Sequence, residues 1–387
     1  MHNLTLELRK FVAPEFIFGA DARFLVGRYA KKIGNKKAFV VTDAGVMASG
    51  WTSEIINSLE KEGIPCMIYS NVSPNPRDSE VMRGADEYLS NSCDFLVAVG
   101  GGSPMDCAKG IGLVVTNQRN ILEFEGVDKA PLPMPPLICI PTTAGTSADV
   151  SQFAIINNSK ERYKIAVISK AVVPDVALID PVTLLSMDGY LSACTGMDAL
   201  THAVEAYASN ASSSITDINA IHAIELIHKY LEKSVNNPDD LELRGNIMLA
   251  SLMAGLAFSN ASLGCVHAMA HSLGGYKDLP HGECNALLLS HIVDYNFDSA
   301  QSKYRGIAEA MGIKTAKMTS EETKKTLIKT IIELRESIGI IDTFGPKGVT
   351  MADVPILAEK AINDPCNATN PRIPTQPDME TLYREAL

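Results

Sequence analysis

Residues 94–110 read DFLVAVGGGSPMDCAKG, and this stretch decides the fold class. The unbroken apolar run from Phe95 to Val99 is the mark of a strand buried on both faces. It enters Gly100, Gly101 and Gly102, which let the backbone turn sharply and approach a ligand without a Cβ in the way. Ser103 is placed to cap the helix that follows, Pro104 to be its first residue and Asp106 to complete a capping box. A helix start offers free amides and a partial positive charge, so a pyrophosphate fits there. The stretch matches neither the full G-x-G-x-x-G pattern nor a Walker A loop. From these residues alone an ordinary tight β–α turn reads equally well.

The same alternation extends on either side. Residues 37–42 (KAFVVT), 65–70 (PCMIYS) and 137–140 (LICI) are further strand candidates, with helical patterns over 51–61, 78–90 and from Pro104 onward. This order predicts a parallel sheet with helices on both faces, whose ligands sit at the carboxyl ends of the strands. Asp43, just past one strand end, suits a carboxylate that accepts hydrogen bonds from a ribose and repels a 2′-phosphate, favouring NAD over NADP. It suits equally an N-cap for the helix that follows. The loop Pro141–Ser147 (PTTAGTS) offers hydroxyls at Thr142 and Thr143 that either line a cofactor or form a polar turn. Lys164 faces either ligand or solvent. Residues 153–156, 163–168 and 176–179 are short apolar runs, expected to be antiparallel strands or a hairpin beside the sheet. From residue 181 the strand signal fades and helical periodicity takes over. The expected organisation is therefore a dinucleotide-binding α/β domain over 1–183 and an all-helical domain over 184–387.

The helical half holds the chemistry. Residues 265–284 read CVHAMAHSLGGYKDLPHGEC, with three of the chain's eight histidines. His267 and His271 are four apart, so on a helix their imidazoles share one face. Gly274 and Gly275 are expected to end that helix, and His281 to stand in a Pro-His-Gly turn that Gly282 frees. Upstream, Asp198 and His202 repeat the four-residue spacing. Ligand-type side chains from two helical segments and one turn can therefore meet around one divalent metal. A carboxylate with imidazoles suits Fe(II) or Zn(II) better than Mg(II).

Composition narrows the class. A length of 387 residues favours two domains, and 46% hydrophobic with 20% charged residues is that of a globular protein. The net charge of −11, without a Lys/Arg run, argues against nucleic-acid or anionic-membrane partners. No run of 18 apolar residues occurs, so no membrane span is expected, and the N-terminal stretch lacks the apolar core of a signal peptide. The eight cysteines form no C-x-x-C pair and read as buried free thiols of a cytoplasmic protein.

Four stretches, GGGSPMDCAKG, PTTAGTSADVS, TGMDALTHAVEAY and CVHAMAHSLGGYKDLPHGECNALLL, resemble in sequence and order the signatures of the iron-dependent (group III) alcohol dehydrogenases, and among these the lactaldehyde reductase and propanediol oxidoreductase branch. The resemblance covers nearly the whole chain. It implies a Rossmann-like N-terminal domain and an all-α C-terminal domain, the dehydroquinate synthase-like fold, with the site in the cleft between them. It implies metal ligation by Asp198, His202, His267 and His281, with Fe(II) or Zn(II) as the ion, and a non-ligating His271 beside metal and nicotinamide. It implies NAD contacts at Asp43, Asn75, Gly101, Gly102, Ser103, Asp106, Thr142, Thr143, Ser151, Lys164 and Leu184. It further implies interconversion of a small primary alcohol and its aldehyde, and a homo-oligomer, at least a dimer, formed through the nucleotide domain; His271 in that place either relays the proton or only shapes the pocket or supports a ligand. The sequence departs from the common Gly-Thr-Gly-Ser-Glu at Gly145–Asp149, where the carboxylate is kept but shortened, and Ser151 stands where Thr is common. That departure leaves room for a regulatory or binding protein with little turnover on the same scaffold. Dehydroquinate synthase-type lyases and glycerol dehydrogenase-type enzymes share the architecture but not this Asp-His-His-His spacing.

Overall fold

The structure, a computed structural model, describes residues 8–34 and 36–387; part of the N-terminal stretch read for a signal peptide lies outside them. The first half is built on strands β1 (Glu15–Phe18), β2 (Ala38–Val41), β3 (Cys66–Tyr69), β4 (Phe95–Gly100), β5 (Gly126–Val127), β6 (Leu137–Pro141), β7 (Phe153–Asn158), β8 (Tyr163–Ile168) and β9 (Val176–Ile179). Six of them form one sheet in the order β1-β9-β6-β4-β2-β3, and every pairing in it is parallel. Helices α1 (Val26–Ile33), α2 (Ala44–Ala48), α3 (Trp51–Lys61), α4 (Asp78–Ser90) and α5 (Gly102–Asn117) accompany the sheet. The period-two alternation of strand side chains is visible in the two cores: Phe39, Val41, Leu96 and Ala98 pack on one face, Ala38, Val40, Phe95 and Val97 on the other. Because both faces are covered, the strands read as continuous apolar runs.

One strand departs from expectation. β7 and β8 do form an antiparallel hairpin, in a small sheet with β5. β9 instead joins the main sheet, parallel between β1 and β6. All four of its residues are buried, which an edge hairpin strand would not be. β1 was not legible at all: its half-exposed Phe16 and Phe18 blur the pattern of a buried strand.

After β9 the described chain is helical: α6 (Gly189–Ala208), α7 (Ser214–Asn236), α8 (Leu241–Ala261), α9 (Cys265–Lys277), α10 (His281–Asn296), α11 (Gln301–Ala310), α12 (Ser320–Ser337), α13 (Val354–Ile362) and α14 (Gln376–Glu385). Among the described residues, α8 alone is long and apolar enough to cross a membrane by composition, but 61% of its apolar window is buried inside the protein. A boundary at 183/184 remains our proposal; it falls inside the 3-10 turn Pro181–Ser186 that separates the last strand from α6.

Winding sets where a ligand can sit. From β2 the chain moves outward to β3, then crosses back to β4 and on to β6. The reversal lies between β2 and β4, and a crevice opens there at the carboxyl ends of the strands. Asp43 follows β2, Gly101 follows β4 and Thr142 follows β6.

Candidate active site

A cleft of about 730 Å³ runs from those strand ends to the helical half. Ten of the eleven residues expected to contact a dinucleotide line it: Asp43, Asn75, Gly101, Gly102, Ser103, Asp106, Thr142, Thr143, Ser151 and Lys164. Leu184 does not; it is 1% exposed and packs into the helical core. Asp198, His202, His267, His271 and His281 line the other end.

The glycine turn is tighter than the sequence reading allowed. Gly100 has φ +151°, and a Cβ there would sit 2.6 Å from Pro104 Cγ. The N-cap of α5 is Gly101, not Ser103, and no side chain caps the helix. The geometric reason is that the helix begins one residue into the turn, which moves Ser103 and Asp106 inside it. Its first-turn amides therefore lack a side-chain acceptor, the condition under which a phosphate is held well. Asp106 is desolvated, and burial pushes its carboxyl up to about 6 against the pull of Lys109. Asp43 satisfies both of its readings. Its Oδ1 accepts from Val46 N at 2.9 Å as the N-cap of α2, while the residue lines the cleft. Lys164 is only 9% exposed, so solvent is not where it points, and burial drives its pKa down despite nearby carboxylates. Asn75, at φ +58°, donates to Asp278 Oδ1 at 2.8 Å, joining the two halves of the chain.

At the helical end, α6 carries Asp198 and His202 one turn apart, α9 carries His267 and His271, and His281 opens α10. The glycines do not act as expected. Gly274 and Gly275 lie inside α9, where a Cβ on Gly275 would meet Tyr163 Cα at 2.6 Å. They admit β8 against the helix rather than ending it. Gly282 likewise lies inside α10, close against α6: a Cβ would be 2.5 Å from Cys194 O. That contact sets the approach of His281.

Three imidazole Nε2 atoms converge on one carboxylate oxygen. Asp198 Oδ1 is 3.7 Å from His267, 3.8 Å from His281 and 3.9 Å from His202. The ligand atoms of Asp198, His267 and His281 all lie within 4.8 Å of one another; His202 is outside that mutual group and meets it through Asp198. His202 is also held by Gly145 O, 3.2 Å from its Nδ1, and by Phe258, stacked at 4.3 Å. Burial pushes His202 down to about 3 and His281 well below its usual range, although Asp198 opposes both shifts. Both imidazoles are therefore neutral at pH 7 and have lone pairs to give. Burial opposes charge on Asp198 too, but the three histidines outweigh it and hold the carboxyl well below the usual range.

A divalent cation fits this set. It consists of one anion and three imidazoles, buried and converging, and two neighbouring polar atoms, His281 Nδ1 and Asn285 Oδ1, have no hydrogen-bond partner.

Sequence reasoning missed the polar partners of these side chains. His267 Nδ1 donates to Glu205 Oε2 at 2.6 Å. Asn285 Nδ2 donates to Asp198 Oδ1 at 2.6 Å and lies 3.1 Å from His267 Nε2. His271 Nδ1 donates to Asp364 Oδ2 at 2.8 Å. Spacing held two of these signals: Glu205 is seven residues after Asp198, and Asn285 four after His281, each on the ligand face of its helix. Asp364 has no such signal. The stretch 367–372 (NATNPR) also gains a role. Asn370 Oδ1 accepts from Cys265 N at 3.1 Å and from Asn296 Nδ2 at 2.9 Å, satisfying an amide at the start of α9. A second cavity of about 320 Å³ shares Lys164 and His271 with the cleft and is bordered by Glu125, Glu161, Glu359 and Asp364.

The model of iron-containing alcohol dehydrogenases matches residues 13–181, and that of the Fe-containing alcohol dehydrogenase family, C-terminal, matches 192–387. The chain belongs to the iron-containing alcohol dehydrogenase family. Within the family it is 40% identical over 371 residues to a 1,3-propanediol dehydrogenase of Citrobacter freundii, covering 95% of this chain and 96% of that one. It is 36% identical over 377 residues to an NAD-dependent methanol dehydrogenase of Bacillus methanolicus, covering 97% and 99%. Among solved family structures, the crystal structure of a 1,3-propanediol oxidoreductase superposes with a TM-score of 0.95 at 37% identity, covering 98% of this chain and all of that one. Family membership makes this chain an alcohol dehydrogenase-type oxidoreductase and bears out the expected fold class.

Proposed function

We propose that the protein interconverts a small primary alcohol and its aldehyde with NAD(H), with Fe(II) held by Asp198, His202, His267 and His281. The observation that carries this is the convergence of three imidazoles on Asp198 Oδ1 in the same cleft as the uncapped start of α5.

When bound, the ion supplies Lewis acidity to the alcohol or carbonyl oxygen, and the nicotinamide accepts or returns the hydride. The remaining work belongs to the chain's own residues. The amides at Gly101, Gly102 and Ser103 hold the pyrophosphate, Asp43 accepts from the ribose, and Thr142, Thr143, Ser151 and Lys164 fix the nicotinamide side. Asn75 and Asp106 line the same path. Phe258 and Leu263 on the wall exclude water. Glu205 fixes the His267 tautomer, leaving Nε2 for the ion. His271 holds and moves the proton: with Nδ1 committed to Asp364, its Nε2 is the nitrogen left for exchange. Proximity of the two bound partners supplies much of the rate.

Fe(II) is the proposed ion, and Zn(II) the alternative that the donor types also allow. A dimer or larger homo-oligomer through the nucleotide half fits β1, the end strand of the sheet among the described residues, where Phe16 is 41% and Phe18 37% exposed. A cytoplasmic setting fits the eight free cysteines. The intact ligand set and His271 speak against a regulatory role without turnover.

The test is a screen of C2–C4 alcohols and aldehydes with NAD(H) on Fe(II)-loaded protein, alongside His267→Ala. That variant should lose bound iron and turnover while still binding NADH; normal turnover in it refutes the ligand assignment.

A further inference from the structure

Lys109 is fully buried in α5, and the reaction described above does not use it. Its Nζ donates to Ser151 O at 2.9 Å and Phe153 O at 2.7 Å, and lies 3.4 Å from Ser151 Oγ. Its hydrogen-bond partners are carbonyl and hydroxyl oxygens, so the ammonium grips a piece of main chain, while Asp106 and Asp149 lie near enough to attract it. Both gripped residues line the cleft. α5 begins at the glycine turn, two turns before Lys109. One helix therefore offers its first amides to the pyrophosphate and clamps the wall opposite.

The clamp continues toward the metal. The Phe153 ring lies 5.6 Å from that of Phe258, and Phe258 is stacked on His202 at 4.3 Å. His202 is the ligand outside the tight group, and its plane is set by Phe258 together with His267, whose ring is also stacked on it at 4.5 Å.

We infer that Lys109 is a positioning residue that ties the cofactor half of the cleft to the metal half, through the main chain of Ser151 and Phe153 and the rings of Phe153, Phe258 and His202. The chain of contacts is continuous from the helix that receives the dinucleotide to a metal ligand. Occupancy of one end then raises affinity at the other, and by linkage the effect is the same in both directions. This rests on the reading that the cleft takes NAD.

Trp51, the chain's one tryptophan, lines the cleft, so its fluorescence reports NADH binding. Saturable quenching in the wild type tests the cofactor reading by itself. The Lys109 role is tested by Co(II) affinity, measured against a chelator with and without NADH. In the wild type NADH should tighten Co(II) by about fivefold or more, the usual size of such coupling. In Lys109→Met and in Phe258→Leu that factor should fall towards one. If Lys109→Met does not fold, Lys109→Gln, which keeps N–H donors on a shorter stem, must show a reduced factor. A wild type without linkage, or variants that keep the full factor, overturns the proposal.

Discussion

His267 Nδ1 and Glu205 Oε2 are 2.6 Å apart, and the other oxygen of the same carboxylate accepts from Val266 N at 2.7 Å. Glu205 thus fixes both the imidazole and the first turn of the helix that carries it. Burial works against charge on His267, yet Glu205 and Asp198 outweigh it and raise the imidazole to about 9. The pair makes this histidine the most basic of the three proposed histidine ligands.

Glu205→Gln removes the charge and one of the two acceptor oxygens. Iron affinity should fall about 10- to 100-fold, the usual cost of losing a partner behind a ligating histidine. Competition with a chelator of known affinity reads this directly, and an unchanged constant would mean that Glu205 only caps α9.

Gly282→Ala places a methyl group 2.5 Å from Cys194 O, a main-chain atom that cannot rotate away. The start of α10 must back off from α6 and take His281 from Asp198. Overpacking of this kind costs about 1–3 kcal/mol. Thermal melts should show the loss, and the iron content after dialysis should drop with it.

Asp43→Gly separates the residue's two roles. Glycine is nearly as good an N-cap as aspartate, so stability should change by only a few tenths of a kcal/mol. Loss of the carboxylate should nevertheless raise kcat/KM with NADP relative to NAD. An unchanged coenzyme ratio would leave capping as its only task.

Asp149 gives a pH signature. Burial raises its carboxyl to about 6, against the pull of its own backbone amide and of Lys109. The native state therefore keeps this proton to higher pH than the unfolded chain, whose value is 3.8. The sign follows: its contribution is full below pH 3.8 and lost as pH rises through about 6. The stability of Asp149→Asn relative to wild type should thus climb between pH 4 and pH 7, by a few kcal/mol at about 1.4 per pKa unit. Denaturant titrations at both pH values would show it; a difference independent of pH contradicts the raised pKa.

The sequence was legible where physics is local. Buried runs such as 95–99 announce a parallel sheet because both faces are covered, and a four-residue spacing puts Asp198 with His202 on one helical face. It was opaque where neighbours decide. Nothing in 176–179 tells whether its backbone pairs with β8 or β6. Gly275 and Gly282 look like helix breakers until the close approach of β8 and α6 is seen, since that approach is what a missing Cβ permits. Asp364 and Asn370 sit in an irregular segment far along the chain, and their partners His271 and Cys265 are 93 and 105 residues away. No local pattern encodes such a pairing.

Asn370 carries one more consequence. The helix bearing His267 and His271 has its leading amide held by a side chain 105 residues further along the chain. The ribosome therefore makes all four proposed ligands before the residue that steadies the helix carrying His267. A polypeptide cut short between His281 and Asn370 would carry every proposed ligand and lack that anchor.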